Sequence, residues 1–518
     1  MSLLRRDGPP PGERPPHPGR SMLLRFALAG VLIFTLTAAS VSSAVLLEID
    51  DDLTTFVRSS PRLDRQTTDL LADVAPGKAQ TILVIGDDRR KADVLDSKGR
   101  PRKRPPPTRS DTMILIRLDP SKGATAIMSL PRDLMVDIPG HGRDQLNAAF
   151  AIGEDQLALR TIRSLLQIPI HHYVRVTFWG FRGIVDRVGC IYTDIDRKYF
   201  NDNKPPAGGG GAYAVIDVKS GYQRLCGQDA LDYVRFRHLD NDLVRESRQQ
   251  QFLSDARAQV AIGSLFSDRK QLLSIFGQSV RTDIDDTKAI LSLLKLVAGS
   301  AGKPLQPVHL NVTDDPTDPN RVVSTPDAIT DARDRFLAVR ATASPQAAAK
   351  KAKPRRASAR TRRRAASKNI PPGLFLNKRP GEDQATRLAV KLRARLPVYY
   401  PRLMTTRGEY PGGSRSYTIR DRSGAPHKAY RIVVYQGTNG QYYGVQGTTW
   451  RNPPILDDPS ETVRMAGRKY ELFYNGRQLR LVAWRTPKGA YWVSNTLLRT
   501  LNNRQMLALA RSLTRAGA

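Results

Sequence analysis

Cysteine is almost missing from this chain. Cys190 and Cys226 are the only two in 518 residues, and they lie 36 positions apart. Neither belongs to a C-x-x-C pair, which excludes the usual thiolate metal sites and thioredoxin-type redox chemistry. An even count on the outer side of a membrane favours a disulfide between them, the alternative being two unrelated buried thiols. Acid is also scarce: 49 Asp and Glu stand against 82 Lys and Arg, a net charge of +33. An apolar share of 40% still supplies real cores, which excludes a wholly disordered polycation. The length suggests roughly two to four domains. No solenoid-type repeat is present.

The surplus charge is unevenly placed. Residues 350–368 hold ten basic residues and no acid, and residues 374–518 hold 25 basic and 8 acidic ones. A further five Arg and two acids lie in residues 1–25, and nine basic residues against two acids in 89–109. The rest of the middle is close to neutral. That distribution, together with the absence of any nucleic-acid motif, argues against nucleic acid as a partner.

Long apolar runs are equally scarce. One uncharged stretch, residues 26–47, is long enough to span a bilayer as a helix. Arg5, Arg6, Arg14, Arg20 and Arg25 precede it, and Glu48, Asp50, Asp51 and Asp52 follow. The positive-inside rule then keeps the N-terminus in the cytoplasm and puts everything after the span outside. A cleaved signal peptide ending near Ser42-Ser43-Ala44 is the competing reading, and a buried soluble helix the plainest one.

The expected organisation follows. Residues 1–25 form a cytoplasmic basic tail, 26–47 a transmembrane helix and 48–77 a juxtamembrane stalk. Residues 78–340 form an α/β domain. TILVIGDD, TMILIRLDP, ATAIMSLPRD and HYVRVTF read as strands, and residues 148–167, 179–189, 245–263 and 287–299 as helices. Residues 341–373, rich in Ala, Lys, Arg, Ser and Pro, read as a disordered basic linker. Residues 374–518 read as a smaller α+β domain. Its Asn439-Gly440 and Asn475-Gly476 mark antiparallel hairpins, and residues 495–513 form a closing helix. Trp450, Trp484, Tyr491 and Trp492 are expected in its core and on its strand faces.

Arg and Asp gather at the ends of the predicted strands: Asp88 and Arg90; Arg109 and Asp111; Arg132 and Asp133; Arg143 and Asn147; then Arg235, Arg237, Asp240, Asp242, Arg245, Arg248 and Gln249. Arg forks bind phosphate oxygens in pairs and keep their charge. Carboxylates hold a hard divalent cation that shares a substrate's phosphates. Such a set without His or Cys suits a phosphate or pyrophosphate with Mg²⁺. Each pair alone is more often a surface ion pair or a helix cap; their combination in one domain carries the reading.

The ordered series GDDRR, TRSDTMILIRLDP, IMSLPRDLMVDIPGHGRDQLNAAF, FRGIVDRVG and GQDALDYVRFRHLDNDLVRESRQQQ resembles the LytR-CpsA-Psr family of membrane-anchored extracellular phosphotransferases. The resemblance covers roughly residues 78–340. It implies a three-layer α/β/α domain whose apolar channel takes the tail of a polyprenyl-pyrophosphate-linked glycopolymer. It also implies that a peptidoglycan muramic-acid hydroxyl attacks the sugar-proximal phosphorus. By resemblance, Asp88 and Asp111 match the Mg²⁺ (or Mn²⁺) aspartates. Arg90, Arg132, Arg235, Arg237, Arg245, Arg248 and Gln249 match the pyrophosphate set, with Arg109 and Asn147 beside them. Asp242 matches an acidic position that acts as base or orienter. The chain departs from the pattern at Gln145, where relatives often carry Lys, with Arg143 or Arg109 as the substitute cation. A lipid-pyrophosphate pyrophosphatase and a non-catalytic polymer-binding anchor are the other functions this set allows.

Overall fold

The computed structural model describes residues 62–75, 77–89, 110–122, 124–204, 214–236, 242–259, 280–284, 305–338, 370–393, 395–437, 440–465 and 467–517. The transmembrane expectation at 26–47, the basic loop, the helix at 287–299 and most of the linker lie outside them. No helix among the described residues is long and apolar enough to cross a membrane.

The middle region is built on one sheet. Its strands are β1 (Gln80–Asp87), β2 (Ser110–Asp119) and β3 (Ala124–Leu130), then, past the hairpin β4 (Met135–Ile138) and β5 (Gly142–Gln145), β6 (His172–Thr177). Strands β7 (Ile191–Ile195), β8 (Tyr199–Asp202), β9 (Val215–Val218) and β10 (Gly221–Leu225) form two separate ribbons, β7 with β10 and β8 with β9. Two more strands, β11 (Val280–Thr282) and β12 (Leu305–Val308), complete the sheet in the order β11-β6-β1-β2-β3-β12. β1 runs parallel to β6 and antiparallel to β2, and β3 runs antiparallel to β2. The C-terminal ends of β1, β3 and β6 and the start of β2 therefore share one edge.

Alternation along the strands explains the layers. Leu83, Ile85, Met113, Leu115, Met128 and Leu130 face one way. They pack on α1 (Leu146–Leu166) and, past α2 (Phe178–Arg187), α3 (Gly227–Arg235) and α4 (Asp242–Gln259), on α5 (Pro326–Leu337). Ile82 and Leu118 face the other way with Val84, Ile116 and Val174, and α4 reaches that face where Gln250 donates to Ser129 Oγ at 3.2 Å. Leu63, Leu70 and Leu71, in the segment expected to be a stalk, pack on the α1 side of the core, next to a one-turn helix, Arg65–Thr68. A small hairpin, β13 (Thr313–Asp315) with β14 (Asp318–Val323), precedes α5.

The disulfide between Cys190 and Cys226 is formed. It ties the turn after α2 to the start of α3.

The C-terminal region opens with β15 (Leu374–Leu376), α6 (Lys378–Leu392), β16 (Tyr399–Pro401) and β17 (Leu403–Thr405). Seven antiparallel strands follow: β18 (Arg415–Arg420), β19 (Pro426–Tyr435), β20 (Tyr442–Thr448), β21 (Glu461–Met465), β22 (Arg468–Asn475), β23 (Gln478–Thr486) and β24 (Gly489–Ser494). The expected hairpin joins β22 to β23 through the two-residue turn Gly476–Arg477, with Gly476 at φ +59° and Asn475 still in the ladder opposite Gln478. The closing helix α7 (Asn503–Arg511), before β25 (Leu513–Arg515), is shorter than its apolar periodicity implies. The Asn495 amide donates to the carbonyls of Leu479 and Leu501, its oxygen accepts from the Leu501 N–H, and Asn502 and Gln505 form a capping box. Side-chain bonds thus claim the backbone groups that an earlier helix start would need.

This sheet is buried on both faces. Tyr430, Ile432, Trp484, Tyr491 and Val493 pack under α6 and α7. Ala429, Leu481, Ala483 and Trp492 pack against Tyr192 and Tyr222 of β7 and β10. The expected core roles of the C-terminal aromatics hold: Trp484, Tyr491 and Trp492 are fully buried, and Trp450 lies with its ring centroid 5.2 Å from that of Tyr192. Middle and C-terminal regions belong to one compact unit, Phe56–Ala518.

Candidate functional site

The shared edge of the middle sheet collects the residues that the sequence singles out. Ser110 pairs with Asp87 and Thr112 with Gly86, so Asp111 is the extra residue of a β-bulge facing the end of β1. Bulges of this kind re-aim side chains and are common beside active sites. Asp88 follows β1 directly and is half-buried. The hydroxyl of Ser110 donates towards the carbonyls of Gly86 and Thr112 and clamps the bulge.

Two further elements close on this edge. The turn after β3 presents Arg132, whose Nε donates to Asp133 at 3.2 Å while its carbonyl accepts the Asn147 N–H. Asn147, in the first turn of α1, is buried; its amide lies 3.5 Å from Asp133, and its Oδ1 has no partner among the described residues. α4 then brings Arg245, Arg248 and Gln249, all buried. Gln249 donates to Thr112 Oγ1 and to the Val234 carbonyl, both at 3.2 Å, and thereby ties α4 to β2 and α3. Arg248 donates to the Phe236 carbonyl and lies 4.7 Å from the Tyr199 ring centroid and 5.7 Å from those of Tyr233 and Phe236. Arg235 grips Asp232 at 2.6 Å and stacks over Phe178.

Arg90, Arg109 and Arg237 lie outside the described residues, and Asp111 and Asp242 are described in backbone only. Of the two candidates for the missing lysine, only Arg143 is among the described residues. Gln145 donates to the Asn320 carbonyl at 3.2 Å, and Arg143 is exposed on the β4–β5 hairpin, opposite Asp137. Asp186 lies beside the two half-cystines, but both sulfurs are spent in the disulfide, which leaves no thiolate for a metal.

Sequence reasoning missed an ion network on the α1 side of the same edge. Asp87, almost fully buried, accepts from Arg89 at 2.7 Å and lies 3.6 Å from Arg175. Arg175 reaches Asp155 at 3.0 Å and Glu154 at 3.3 Å, and Arg281 reaches Asp155 at 3.2 Å. Tyr173 donates to Asp155 at 2.7 Å. Burial opposes the Arg175 charge, but Asp155, Tyr173, Asp87 and Glu154 together outweigh it and raise its pKa. Burial, helped by the Asp155 carboxylate, pushes the Tyr173 hydroxyl far up, so it stays a neutral donor. The acids are delivered by a kink in α1, where Gly153 and Glu154 leave helical geometry and Glu154 takes φ +44°. One signal was present in the sequence: an arginine in the middle of the apolar strand HYVRVTF.

The chain is similar to several known proteins. A curated teichoic acid transferase TagU of Oceanobacillus iheyensis (polyisoprenyl-teichoic acid–peptidoglycan teichoic acid transferase) is 32% identical over 230 residues, 43% of this chain and 64% of that protein. TagV of Bacillus subtilis, of the same curated activity, is 30% identical over 211 residues, 40% of this chain and 52% of TagV. The chain thus spans between half and two thirds of the length of these relatives. Among solved structures, B. subtilis TagV aligns over 51% of this chain and 97% of its own, at 24% identity and a TM-score of 0.39. YwtF (TagT) with bound octaprenyl pyrophosphate lipid aligns over 51% of this chain and 92% of its own, at 21% identity and a TM-score of 0.38. The LytR_cpsA_psr family profile matches residues 50–332, which takes in the bulge, the Arg132 turn, α4 and the ion network alike. With more than half of its length matched and the motifs in family order, the chain belongs to the LytR_cpsA_psr family.

Proposed function

We propose that this protein transfers a glycopolymer from a polyprenyl-pyrophosphate carrier to peptidoglycan, outside a membrane in which residues 26–47 anchor it. One observation carries the reading. Asp88, the Asp111 bulge, Arg132, Asn147 and the buried Arg245–Gln249 turn of α4 converge on one sheet edge, where Arg132, Arg245 and Arg248 supply cations and Asp88 and Asp111 supply carboxylates for a shared divalent ion. Such an edge suits a dianionic ligand whose charge grows in the transition state.

The chemistry balances as a displacement at phosphorus. A peptidoglycan hydroxyl oxygen forms a bond to the sugar-proximal phosphorus. The bond to the bridging oxygen breaks, and polyprenyl phosphate leaves with that electron pair. The hydroxyl proton passes to a base, for which Asp242 at the start of α4 is the candidate. Arg132, Arg235, Arg237 and Arg245 hold the phosphate oxygens, with Arg90 and Arg109 on the loop side. Gln249, locked on Thr112, and Asn147, whose oxygen is free among the described residues, orient rather than neutralise. Arg248 acts from behind, through the Phe236 carbonyl.

Asp88 and Asp111 on neighbouring strand ends are hard oxygen donors, and Mg²⁺ (or Mn²⁺) takes one or two carboxylates plus substrate phosphates. The donor set fits such an ion, which when bound would offset the pyrophosphate's negative charge. The test is a transfer assay with the purified full chain, a polyprenyl-pyrophosphate-linked saccharide and a peptidoglycan acceptor. Arg237→Ala and Asp111→Ala should each abolish transfer while leaving the melting temperature close to the parent's. Unchanged transfer by either variant defeats the assignment, and release of the saccharide phosphate to water in place of the acceptor would make the enzyme a pyrophosphatase.

A further inference from the structure

The C-terminal region carries a cleft that the transfer chemistry does not use. Lys391, Arg393, Arg395 and Lys428 line it, and its volume is about 330 Å³. No acidic residue lies among its lining residues, and among the described residues none of these four cations forms an ion pair. The contrast with the other end of the same helix is direct. At the start of α6, Lys378 pairs with Glu382 at 3.4 Å.

The helix end explains part of this charge. Lys391 closes α6 and Arg393 caps it in the left-handed conformation, so the terminal carbonyls attract both. That argument does not reach Arg395, beyond the helix, or Lys428, in β19 across from Thr418. Lys428 donates to Thr418 Oγ1 at 3.1 Å, which holds the ammonium at the cleft wall. Four like charges gathered in a concavity repel one another, and an anion relieves that repulsion.

The floor is rigid. Tyr417 donates to the Tyr222 carbonyl at 3.1 Å and accepts from Gln446 at 2.9 Å, with the Arg415 guanidinium 4.1 Å from its ring centroid. A Cβ added at Gly221 would stand 2.5 Å from the Tyr417 hydroxyl, so this close approach requires glycine. Through Tyr417 the cleft is fixed to β10 of the middle region. Ser416 and Thr418 add hydroxyl groups beside the cations, and no exposed apolar side chain lines the cleft for insertion into a bilayer.

We propose that this cleft is a binding site for phosphodiester groups of an anionic glycopolymer chain. The site lies apart from the transfer edge and goes beyond the transfer reading, since it assigns the C-terminal region a ligand of its own. Phospholipid headgroups carry the same chemistry, but the polar, concave lining favours a flexible chain over a flat surface.

The test uses the full chain in neutral detergent and a short fluorescent oligo(glycerol phosphate), read by polarisation, so no carrier lipid or transfer step is involved. Arg395→Glu with Lys428→Glu should weaken binding about tenfold or more, and the slope of log affinity against log salt should fall by roughly one to two. The same variant should leave transfer of a short, uncharged lipid-linked saccharide unchanged. A neutral oligosaccharide should bind neither protein. Unchanged oligomer affinity in the variant overturns the proposal. So does a variant that loses binding to phosphatidylglycerol vesicles while keeping the oligomer, which would make the cleft a membrane contact. If the double variant melts early, Lys391→Gln with Arg395→Gln gives the same readout without charge reversal.

Discussion

Arg175 illustrates how much a single buried charge decides here. It sits mid-strand in β6, paired in register with Ile85 of β1, where an apolar residue would be the cheaper choice. Its guanidinium is shared among Asp87, Glu154 and Asp155. Asp87 in turn holds the Arg89 backbone N–H at 3.0 Å and its Nε at 2.7 Å, which fixes the turn carrying Asp88. Removing one partner of a buried ionic set leaves the others uncompensated and costs about 3–5 kcal/mol. Arg175→Met should therefore lower the melting temperature and, because Asp88 loses its support, reduce kcat for transfer more than it raises KM. Thermal melting and steady-state assays of the purified variant check both. Arg175 and Arg281, which the sequence motifs did not single out, serve carboxylates, and Arg248 also meets a carbonyl and aromatic rings.

At the scale of elements, most strands and helices were legible, because their apolar period is clean and their ends carry turn chemistry. β1, β2, β3 and β6 start or stop within two or three residues of expectation, and the Cys190–Cys226 pairing follows from the even count. What escaped was set by contacts distant from the apolar period: the kink in α1, where Glu154 and Asp155 meet Arg175, and the late start of α7, where side chains bond to backbone. The kink is testable. A Cβ at Gly153 would meet Leu157 Cβ at 2.6 Å, so Gly153→Ala must displace a buried leucine or straighten the helix. Overpacking of this kind costs about 1–3 kcal/mol. It should also pull Glu154 and Asp155 away from Arg175, so that transfer falls with stability, as paired melting and activity measurements would show. The disulfide makes a second element-scale prediction. It closes a loop of 36 residues between α2 and α3. Cys190→Ser with Cys226→Ser should lose about 3–4 kcal/mol of stability in urea unfolding.

The two regions that composition divides at the basic linker are one body in the structure. Asp194 of β7 accepts both contacts of Arg431, each at 3.1 Å, and the Trp492 indole N–H at 3.1 Å, so a carboxylate of the middle region pins two residues of the C-terminal sheet. Linker composition cannot reveal this, since the contacts join residues more than two hundred positions apart. A second carboxylate at the same seam makes it pH-dependent. Asp255 lies on α4, ten residues after Arg245, and accepts from Thr193 at 2.6 Å and Gln251 at 2.8 Å, with Arg480 of β23 3.8 Å away. Burial raises its pKa from 3.8 to about 6, against the opposing pull of Arg480 and the two hydrogen bonds. Between about pH 4 and pH 6 the folded chain keeps a proton that the unfolded chain has lost. This contribution to stability is therefore largest in acid and falls as pH rises through the window. The full span corresponds to at most about 3 kcal/mol. Asp255→Asn removes the titration, so the melting temperature of the variant relative to the parent should rise from pH 5 to pH 7.5. Because α4 also carries Arg245 and Gln249, the parent's urea midpoint and its transfer rate should both respond to Asp255→Asn more strongly at pH 7.5 than at pH 5. A difference that stays flat across that range would show that Asp255 is already ionised in the folded protein and that Arg480 outweighs burial at the seam.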